Sequence, residues 1–390
     1  MTLVLVIGII ASVFVGFNIG GSSTGIAWGP AVEAGLVRKT TAAGAMIFFV
    51  FLGGWTIGRN VIDTLSNGII TSSISIESGS ALLLCIGLGI LLANVIGVPV
   101  ATSMTTVGSI AGLGLATGTI RWAVVGEIVV WWLVTPVISF WAGAVIGRYL
   151  YPSLDRRVRV TTSRGALLRI DRDGILPTLA LGPNTTAQEL LGTALVLVSA
   201  CYMAFVAGAS NVPNVVAPVV SDGVVGGDAA IGIGTIAIGL GGFTIARRTM
   251  ESVGSDLTEM SLLSAVLVML TAATITGILS FIGIPISLVM ATVMTIVGLG
   301  WGRASRLVVE YGELRGNQTN ATESVKTGVV AEKATENHPP TIARNEQAAT
   351  SATELFDPGS VAKFTSVWIL GPCVSAGLSY AFFAVLPIGG

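Results

Sequence analysis

The sequence predicts an all-α polytopic membrane protein made of two inverted-topology repeats, with broken or re-entrant helices at the bilayer midplane. Three observations predict this fold: an apolar composition, ten runs long enough to span a bilayer, and glycine-rich motifs that occur once in each half. Of the 390 residues, 52% are hydrophobic and 11% are charged, whereas about 25% of residues are charged in an average soluble domain. The lipid bilayer is therefore the expected solvent of this chain.

Ten apolar runs of 17 residues or more are candidate spans, since a helix needs about 20 apolar residues to cross the hydrocarbon core. They begin near Thr2, Thr41, Gly79, Ala101, Ala123, Leu190, Asp228, Leu262, Pro285 and Lys363. Each half holds five spans, and this odd number places the second copy upside down relative to the first. The predicted units are a first membrane repeat (1–150), a cytoplasmic linker (151–189), a second membrane repeat (190–301), a disordered cytoplasmic loop (302–361) and a last span (362–390).

The placement of basic residues supports this count, because cytoplasmic loops carry the positive excess. With the N-terminus outside, 18 of the 20 Lys and Arg residues lie in cytoplasmic segments, and only Arg59 and Arg121 lie outside. Two further short spans, if both were missed, would leave the other loops on the same sides of the membrane. We expect a multi-pass protein of the plasma membrane with its N- and C-termini outside.

Charge and cysteine content exclude several classes of function. The net charge of −1 gives no reason to expect a nucleic-acid partner. Cys85, Cys201 and Cys373 each stand alone in an apolar run, so they indicate neither a disulfide framework nor a metal site. The single histidine, His338, lies in a polar loop, which excludes a histidine proton relay inside the membrane.

Two polar segments stand apart from the spans. In the linker, residues 158–162 and 166–170 alternate enough to predict a small cytoplasmic hairpin. Residues 302–361 are rich in Thr, Glu, Asn and Ala and poor in large apolar residues, which predicts a disordered loop.

Two motifs occur in both halves. Residues 16–22 (Gly-Phe-Asn-Ile-Gly-Gly-Ser) return 192 positions later at 208–214, and residues 97–103 (Gly-Val-Pro-Val-Ala-Thr-Ser) return 186 positions later at 283–289. Glycine and proline at matched places in two hydrophobic halves are typical of the binding site of a transporter. Helices starting near Ser22, Thr102, Asn211 or Ser287 would suit an anion through their N-terminal dipoles and free N–H groups.

The motifs contain no lysine or arginine, so we expect an oxyanion to be held by neutral donors, with cations balancing its charge. Close helix packing through small residues is the alternative explanation. Packing alone would not require Asn18, Asn211 and Asn214 beside glycine in both halves, which favours ligand binding.

Two further pairs recur. Asp63 and Glu251 occupy equivalent places at an offset of 188, each followed by a hydroxyl residue, and are either functional or solvated at the end of a helix. Residues 132–139 and 368–375 share a Trp, a Pro and a Ser, and we interpret this pair as structural, with the proline kinking its span.

These motifs resemble the inorganic phosphate transporter family, the Pit-type phosphate and sulfate permeases. That family carries Gly-Ala-Asn-Asp-x-x-Asn-x-x-Gly, Gly-x-Pro-Val-Ser-x-Thr-His and a Glu-Thr pair in each half. Asn18 and Ser22 fall on the two asparagines of the first motif, and Ser210 and Asn214 do so in the second half. The resemblance covers essentially all of the apolar chain.

The departures from the family lie at the most polar positions of its motifs. Ile19 and Asn211 replace the aspartates, and Met104 and Met290 stand where the histidines would be. Without the two carboxylates, the motifs lack the anionic oxygens that hard cations prefer. This loss weakens the case for sodium coupling and for phosphate over sulfate.

The resemblance implies a secondary transporter of inorganic phosphate that works by alternating access with sodium or proton coupling, uses no ATP and is not an enzyme. Sulfate or another oxyanion is the alternative substrate, and a transport-inactive membrane sensor is the alternative function. Partners would be the oxyanion, a coupling cation and the lipid bilayer, with homo-oligomers left open. We expect no catalytic residue, no metal site and no cofactor beyond a bound sodium ion. The candidate substrate-binding residues are Asn18, Ser22, Thr102, Ser103, Ser210, Asn211, Asn214 and Ser287, and the candidate coupling or gating residues are Asp63 and Glu251.

Overall fold

The computed structural model describes residues 2–23, 25–96, 101–157, 168–171, 178–181, 187–244, 261–324 and 358–386. The helices of the first half are α1 (Thr2–Ser23), α2 (Gly25–Glu33), α3 (Lys39–Trp55), α4 (Gly58–Asp63), α5 (Ile76–Ile96), α6 (Thr102–Thr117), α7 (Trp122–Val145) and α8 (Tyr151–Arg157). Those of the second half are α9 (Ala187–Val220), α10 (Gly227–Thr244), α11 (Leu262–Phe281), α12 (Leu288–Ser324) and α13 (Pro358–Val385). π-Helical turns at Thr64–Gly68 and Ile146–Leu150 extend α4 and α7.

The protein is a multi-pass membrane protein. Within the described ranges, seven helices are long and apolar enough to cross a bilayer: α1, α7, α9, α10, α11, α12 and α13. The α3 and α4 helices, with the π-helical turn, form an eighth candidate that is bent by 58°. The two remaining predicted spans correspond to shorter helices, since the apolar part of α5 covers Ile76–Leu92 and α6 has 16 residues.

The outer surface of the bundle is apolar, as a lipid-facing surface must be. Leu3, Leu133 and Val198 expose more than 60% of their surface. Inside the bundle, the helices approach one another closely through glycine. A Cβ added to Gly53 of α3 would overlap the carbonyl oxygen of Phe205 in α9, so only glycine allows these two backbones to meet.

Contacts of this kind recur in equivalent places of the two halves. Gly241 of α10 meets the Phe17 carbonyl of α1. Gly241 lies 188 positions after Gly53, and Phe205 lies 188 positions after Phe17. The half that supplies the glycine in one contact therefore supplies the carbonyl in the other. The exchange extends to whole helices: α1 packs on α10 as α9 packs on α3, and α6 packs on α13 as α12 packs on α7. The two halves are thus interlocked through matching surfaces, while their opposite orientation in the membrane stays a prediction.

Two of the four predicted helix starts are present, at Thr102 and beside Ser287. The α6 helix begins at Thr102 and α12 at Leu288, whereas Thr24, between α1 and α2, lies outside the described residues, so the start near Ser22 stays a prediction. The fourth prediction, a helix starting near Asn211, is wrong because α9 runs without interruption from Ala187 to Val220. Pro213 lies inside α9 and removes one backbone hydrogen bond. Neighbouring helices packed closely around a membrane helix allow such a proline without a break.

The predicted disordered loop is also wrong over its first part. The α12 helix continues to Ser324, because adding a residue to an existing helix costs far less than starting a new helix. Residues 325–357 lie outside the described part of the chain.

In the linker, β1 (Leu168–Asp171) and β2 (Thr178–Leu181) form an antiparallel hairpin in which Leu168 pairs with Leu181. The second predicted strand segment therefore overlaps β1, whereas residues 158–162 are not described.

Candidate functional site

A cluster of five buried polar residues lies where the first turn of α6 meets the middle of α9. Thr102 and Ser103 open α6, and Ser210, Asn211 and Asn214 lie on α9; none is more than 4% exposed. The α6 helix belongs to the first half and α9 to the second, so the cluster joins the two halves. All five residues were predicted from the motifs.

One backbone carbonyl fixes the orientation of the Asn214 amide. Asn214 Nδ2 donates to the carbonyl oxygen of Ser210 at 3.0 Å and to Ser103 Oγ at 3.1 Å. Because a carbonyl oxygen can only accept, the NH2 group must face it. Asn214 Oδ1 therefore points away from this carbonyl.

A second hydrogen bond orients Asn211. Thr102 Oγ1 lies 3.5 Å from Asn214 Nδ2 and donates to Asn211 Oδ1 at 2.9 Å. The arrangement leaves Asn211 Nδ2 and Asn214 Oδ1 buried without a hydrogen-bond partner. Each unpaired buried polar atom costs about 1–3 kcal/mol. Two such atoms on one face of α9 are expected where a ligand supplies the missing partners.

The cluster can hold an anion without a formal positive charge. Its five side chains are uncharged, and the first turn of α6 adds backbone N–H groups and the positive end of a helix dipole. Within the described residues, no three His, Cys, Asp or Glu side chains come together as a metal site would require.

Three other predicted residues are not shown in this cluster. Asn18 is buried in α1, where its Nδ2 donates to the carbonyl oxygen of Phe14 at 2.9 Å. Ser287 caps α12, since its Oγ accepts from the backbone N–H of Met290 at 3.3 Å. Ser22 lies in the last turn of α1, and its side chain is outside the described part of the structure.

Three of the five positions that mirror the cluster are apolar, and the other two are Asn18 and Ser22. Ile19 corresponds to Asn211, and Leu288 and Val289 correspond to Thr102 and Ser103. All three are buried and join the same hydrophobic core. The polar cluster is therefore only partly repeated in the other half-site, a result that the duplicated motifs did not predict, although the three apolar residues are visible in the sequence.

Methionine fills the space at the equivalent starts of α6 and α12. Met104 and Met290, which stand at matched positions, pack together with Ala101 and Trp368 in a small apolar cluster. Nearby, Trp132 Nε1 donates to the carbonyl oxygen of Pro285 at 3.0 Å. The tryptophan of the motif at 132–139 thus stabilises the segment before α12, in line with its structural interpretation.

Asp63 lies apart from the buried cluster, in an open cleft of about 410 Å³ that also contains Arg121 and Glu127. Asn67 Nδ2 donates to Asp63 Oδ1 at 3.0 Å, and Arg121 donates to the Asn67 backbone carbonyl at 3.0 Å. Sequence reasoning missed Asn67 and Arg121 as neighbours of Asp63, because neither belongs to a repeated motif. Glu251 lies outside the described residues.

The chain is similar to known phosphate and sulfate permeases. A model described as the phosphate transporter family matches residues 19–379. The chain is 28% identical over 297 residues to a sulfate permease, CysP, of Bacillus subtilis, which covers 76% of this chain and 77% of that protein. It is 24% identical over 367 residues to a Pyrococcus furiosus protein named "Putative phosphate permease", covering 78% of this chain and 89% of that protein.

A solved structure shares the fold. The structure named "The sodium-dependent phosphate transporter" matches with a TM-score of 0.65 and 19% sequence identity, covering 99% of this chain and 100% of that chain. At this level of identity, the match establishes the arrangement of the helices.

Proposed function

Because the chain belongs to the phosphate transporter family, we propose that it is a secondary transporter of inorganic phosphate that binds its substrate at the buried cluster between α6 and α9. The single observation that carries the proposal is the pair of unpaired buried amide atoms, Asn211 Nδ2 and Asn214 Oδ1. Five uncharged polar side chains contributed by both halves form the kind of site that a carrier needs at its centre.

Alternating access is the mechanism that we propose for transport. The cluster has almost no exposed surface, so a substrate can enter or leave only if α6 separates from α9. The reciprocal packing of the two halves supports an inverted repeat, whose two halves rock against each other around a fixed site. We further propose that the protein lies in the plasma membrane with both termini outside. Assembly into a homo-oligomer is compatible with this proposal.

Coupling to a sodium ion or a proton is part of the proposal. The solved structural neighbour is named as sodium-dependent, which supports sodium. The buried cluster offers a cation only neutral oxygens, however, and these bind hard cations less well than carboxylates do. Asp63 in the cleft beside Arg121 and Glu251 are the candidates for a role in coupling or gating.

Sulfate is the second candidate substrate, favoured by one specific observation. The relative from Bacillus subtilis is named as a sulfate permease and is 28% identical. Both oxyanions are tetrahedral and would accept hydrogen bonds from Asn211 Nδ2.

Uptake by the purified protein in proteoliposomes tests the proposal. Radiolabelled phosphate and sulfate should be offered separately, with imposed sodium or proton gradients. Asn211→Ala should reduce uptake at least about tenfold, since a hydrogen bond to a charged group contributes about 1.5–3 kcal/mol. The matched control is Asn60→Ala, which removes an exposed amide that donates to the Phe281 carbonyl. Absence of uptake in the parent protein would favour the transport-inactive sensor, and unchanged uptake by Asn211→Ala would place the substrate elsewhere.

A further inference from the structure

We infer that Asn214 makes the buried cluster selective for an oxyanion that carries a proton, and so for hydrogen phosphate over sulfate. The inference rests on the proposed function, because it assumes that an oxyanion binds beside Asn211 and Asn214. It assigns Asn214 Oδ1 as the acceptor of a hydrogen bond from the substrate hydroxyl.

The structure determines which atoms of the cluster can donate and which can accept. The Ser210 carbonyl holds the NH2 group of Asn214, which leaves Oδ1 as a free acceptor. Thr102 donates to Asn211 Oδ1, which leaves Nδ2 of Asn211 as a free donor. Among its side-chain atoms, the cluster therefore offers a ligand one unpaired donor and one unpaired acceptor, both buried.

The two free atoms can serve a single small ligand. Asn211 and Asn214 are three residues apart on α9, and side chains at this spacing share a helix face with Cβ atoms about 5–6 Å apart. Both amides also lie against the same hydroxyl, Thr102 Oγ1. A tetrahedral oxyanion has the size to place one oxygen at Asn211 Nδ2 and another at Asn214 Oδ1.

Hydrogen phosphate and sulfate differ in what they can give Asn214. Hydrogen phosphate keeps a P–OH group at neutral pH and can donate its proton to Oδ1, while its other oxygens accept from Asn211. Sulfate is fully deprotonated, so its lone pairs would face the lone pairs of Oδ1. A site that hydrogen-bonds a substrate hydroxyl strongly rejects the analogue without it, because the buried partner is left unpaired. The corresponding preference is roughly ten- to hundredfold in affinity.

A coupling cation is the other occupant that Oδ1 could accept. A cation there would neutralise any tetrahedral dianion equally and would give no preference for a ligand with a hydroxyl group. Monofluorophosphate separates the two cases, since it has the charge and shape of hydrogen phosphate but carries fluorine in place of the hydroxyl.

Competition binding to the purified full-length protein tests the inference. Radiolabelled phosphate is displaced at neutral pH by phosphate, monofluorophosphate or sulfate. In the parent protein, we expect monofluorophosphate and sulfate to bind about ten- to hundredfold more weakly than phosphate. Asn214→Ala should remove most of this preference by weakening phosphate alone, whereas Asn211→Ala should weaken all three ligands together. Asn60→Ala is the control for general damage to the protein.

The comparison within the parent protein needs no variant, so it holds even if a substitution prevents folding. Equal affinity of the parent for phosphate and monofluorophosphate would overturn the inference and leave the proposed function standing. Loss of all three ligands to the same degree in Asn214→Ala would likewise show that Asn214 does not select. Binding of none of the ligands by the parent would overturn both the inference and the proposed function.

Discussion

Replacing Gly112 with alanine should destabilise the protein by about 1–3 kcal/mol, the usual cost of forcing an extra carbon into a packed interior. Gly112 lies where α6 packs on α13. A Cβ there would overlap the carbonyl oxygen of Ala376 and would lie 2.9 Å from Ser379 Cβ and 3.0 Å from the Tyr380 backbone nitrogen. Two of these three atoms belong to the backbone of α13, so the clash is relieved only if the helices move apart.

The repeated contacts of the two halves supply a second variant and a control. Gly298 lies 186 positions after Gly112 and meets the Phe140 carbonyl of α7 in the same way, so Gly298→Ala should cost about as much. Gly126 lies in α7 with no atom within 4 Å of an added Cβ, and Gly126→Ala should be neutral or stabilise by up to about 1 kcal/mol through helix propensity.

Unfolding of the three detergent-solubilised variants, followed by tryptophan fluorescence, measures these differences. Equal stability of Gly112→Ala and Gly126→Ala would refute the close approach of α6 and α13. A large loss in Gly112→Ala without a comparable loss in Gly298→Ala would refute the equivalence of the two helix pairs.

Two further predictions concern topology and coupling. In a protein without its native cysteines, Thr40→Cys should react with an impermeant thiol reagent only from the cytoplasmic side, and Thr117→Cys only from the outside. Both positions are exposed, and the basic residues place their loops on opposite faces of the membrane. The reverse labelling pattern would show that the predicted topology is inverted. Ile19→Asp combined with Asn211→Asp should make uptake sodium-dependent if the site keeps the geometry of its family. Each carboxylate costs about 2.5–3.5 kcal/mol near the midplane unless a cation pairs with it. Uptake that stays insensitive to sodium would mean that the site is built for another form of coupling.

Much of the fold could be predicted from composition and repetition. The apolar runs indicate the helices that lie in the bilayer, and the repeated motifs indicate two matched halves. The ten apolar runs located every helix except the short helices α2, α4 and α8, and the helix starts at Thr102 and Leu288 were marked by proline and glycine. The same residue types misled at α9, where Pro213 lies inside a continuous helix. The position of a proline in the sequence shows which backbone hydrogen bond is lost. Whether the helix continues depends on neighbours such as Gly53 and Gly58 of other helices, and the sequence does not show which neighbours are present.

The five residues of the buried cluster could be predicted one by one, but their hydrogen bonds could not. Which amide atom of Asn214 is free depends on the Ser210 carbonyl, and which atom of Asn211 is free depends on Thr102, more than 100 positions away in the chain. Residue types give the number of donors and acceptors at a site. Only the fold shows which of them are already used.

The partial repetition of the polar cluster has a physical cause that becomes visible only when both halves are considered together. Ile19, Leu288 and Val289 all belong to one buried apolar core, so a polar side chain at position 19 that found no partner there would cost about 1–3 kcal/mol. The same holds for a hydroxyl at position 288 without a polar partner on α1. The mirrored half-site still keeps the buried Asn18, whose amide donates to the Phe14 carbonyl of its own helix, so a polar residue is stable there where it has a partner. Apolar residues at all three positions leave no unpaired polar group there, and under the proposed function they concentrate ligand binding in the half-site that holds Asn211 and Asn214.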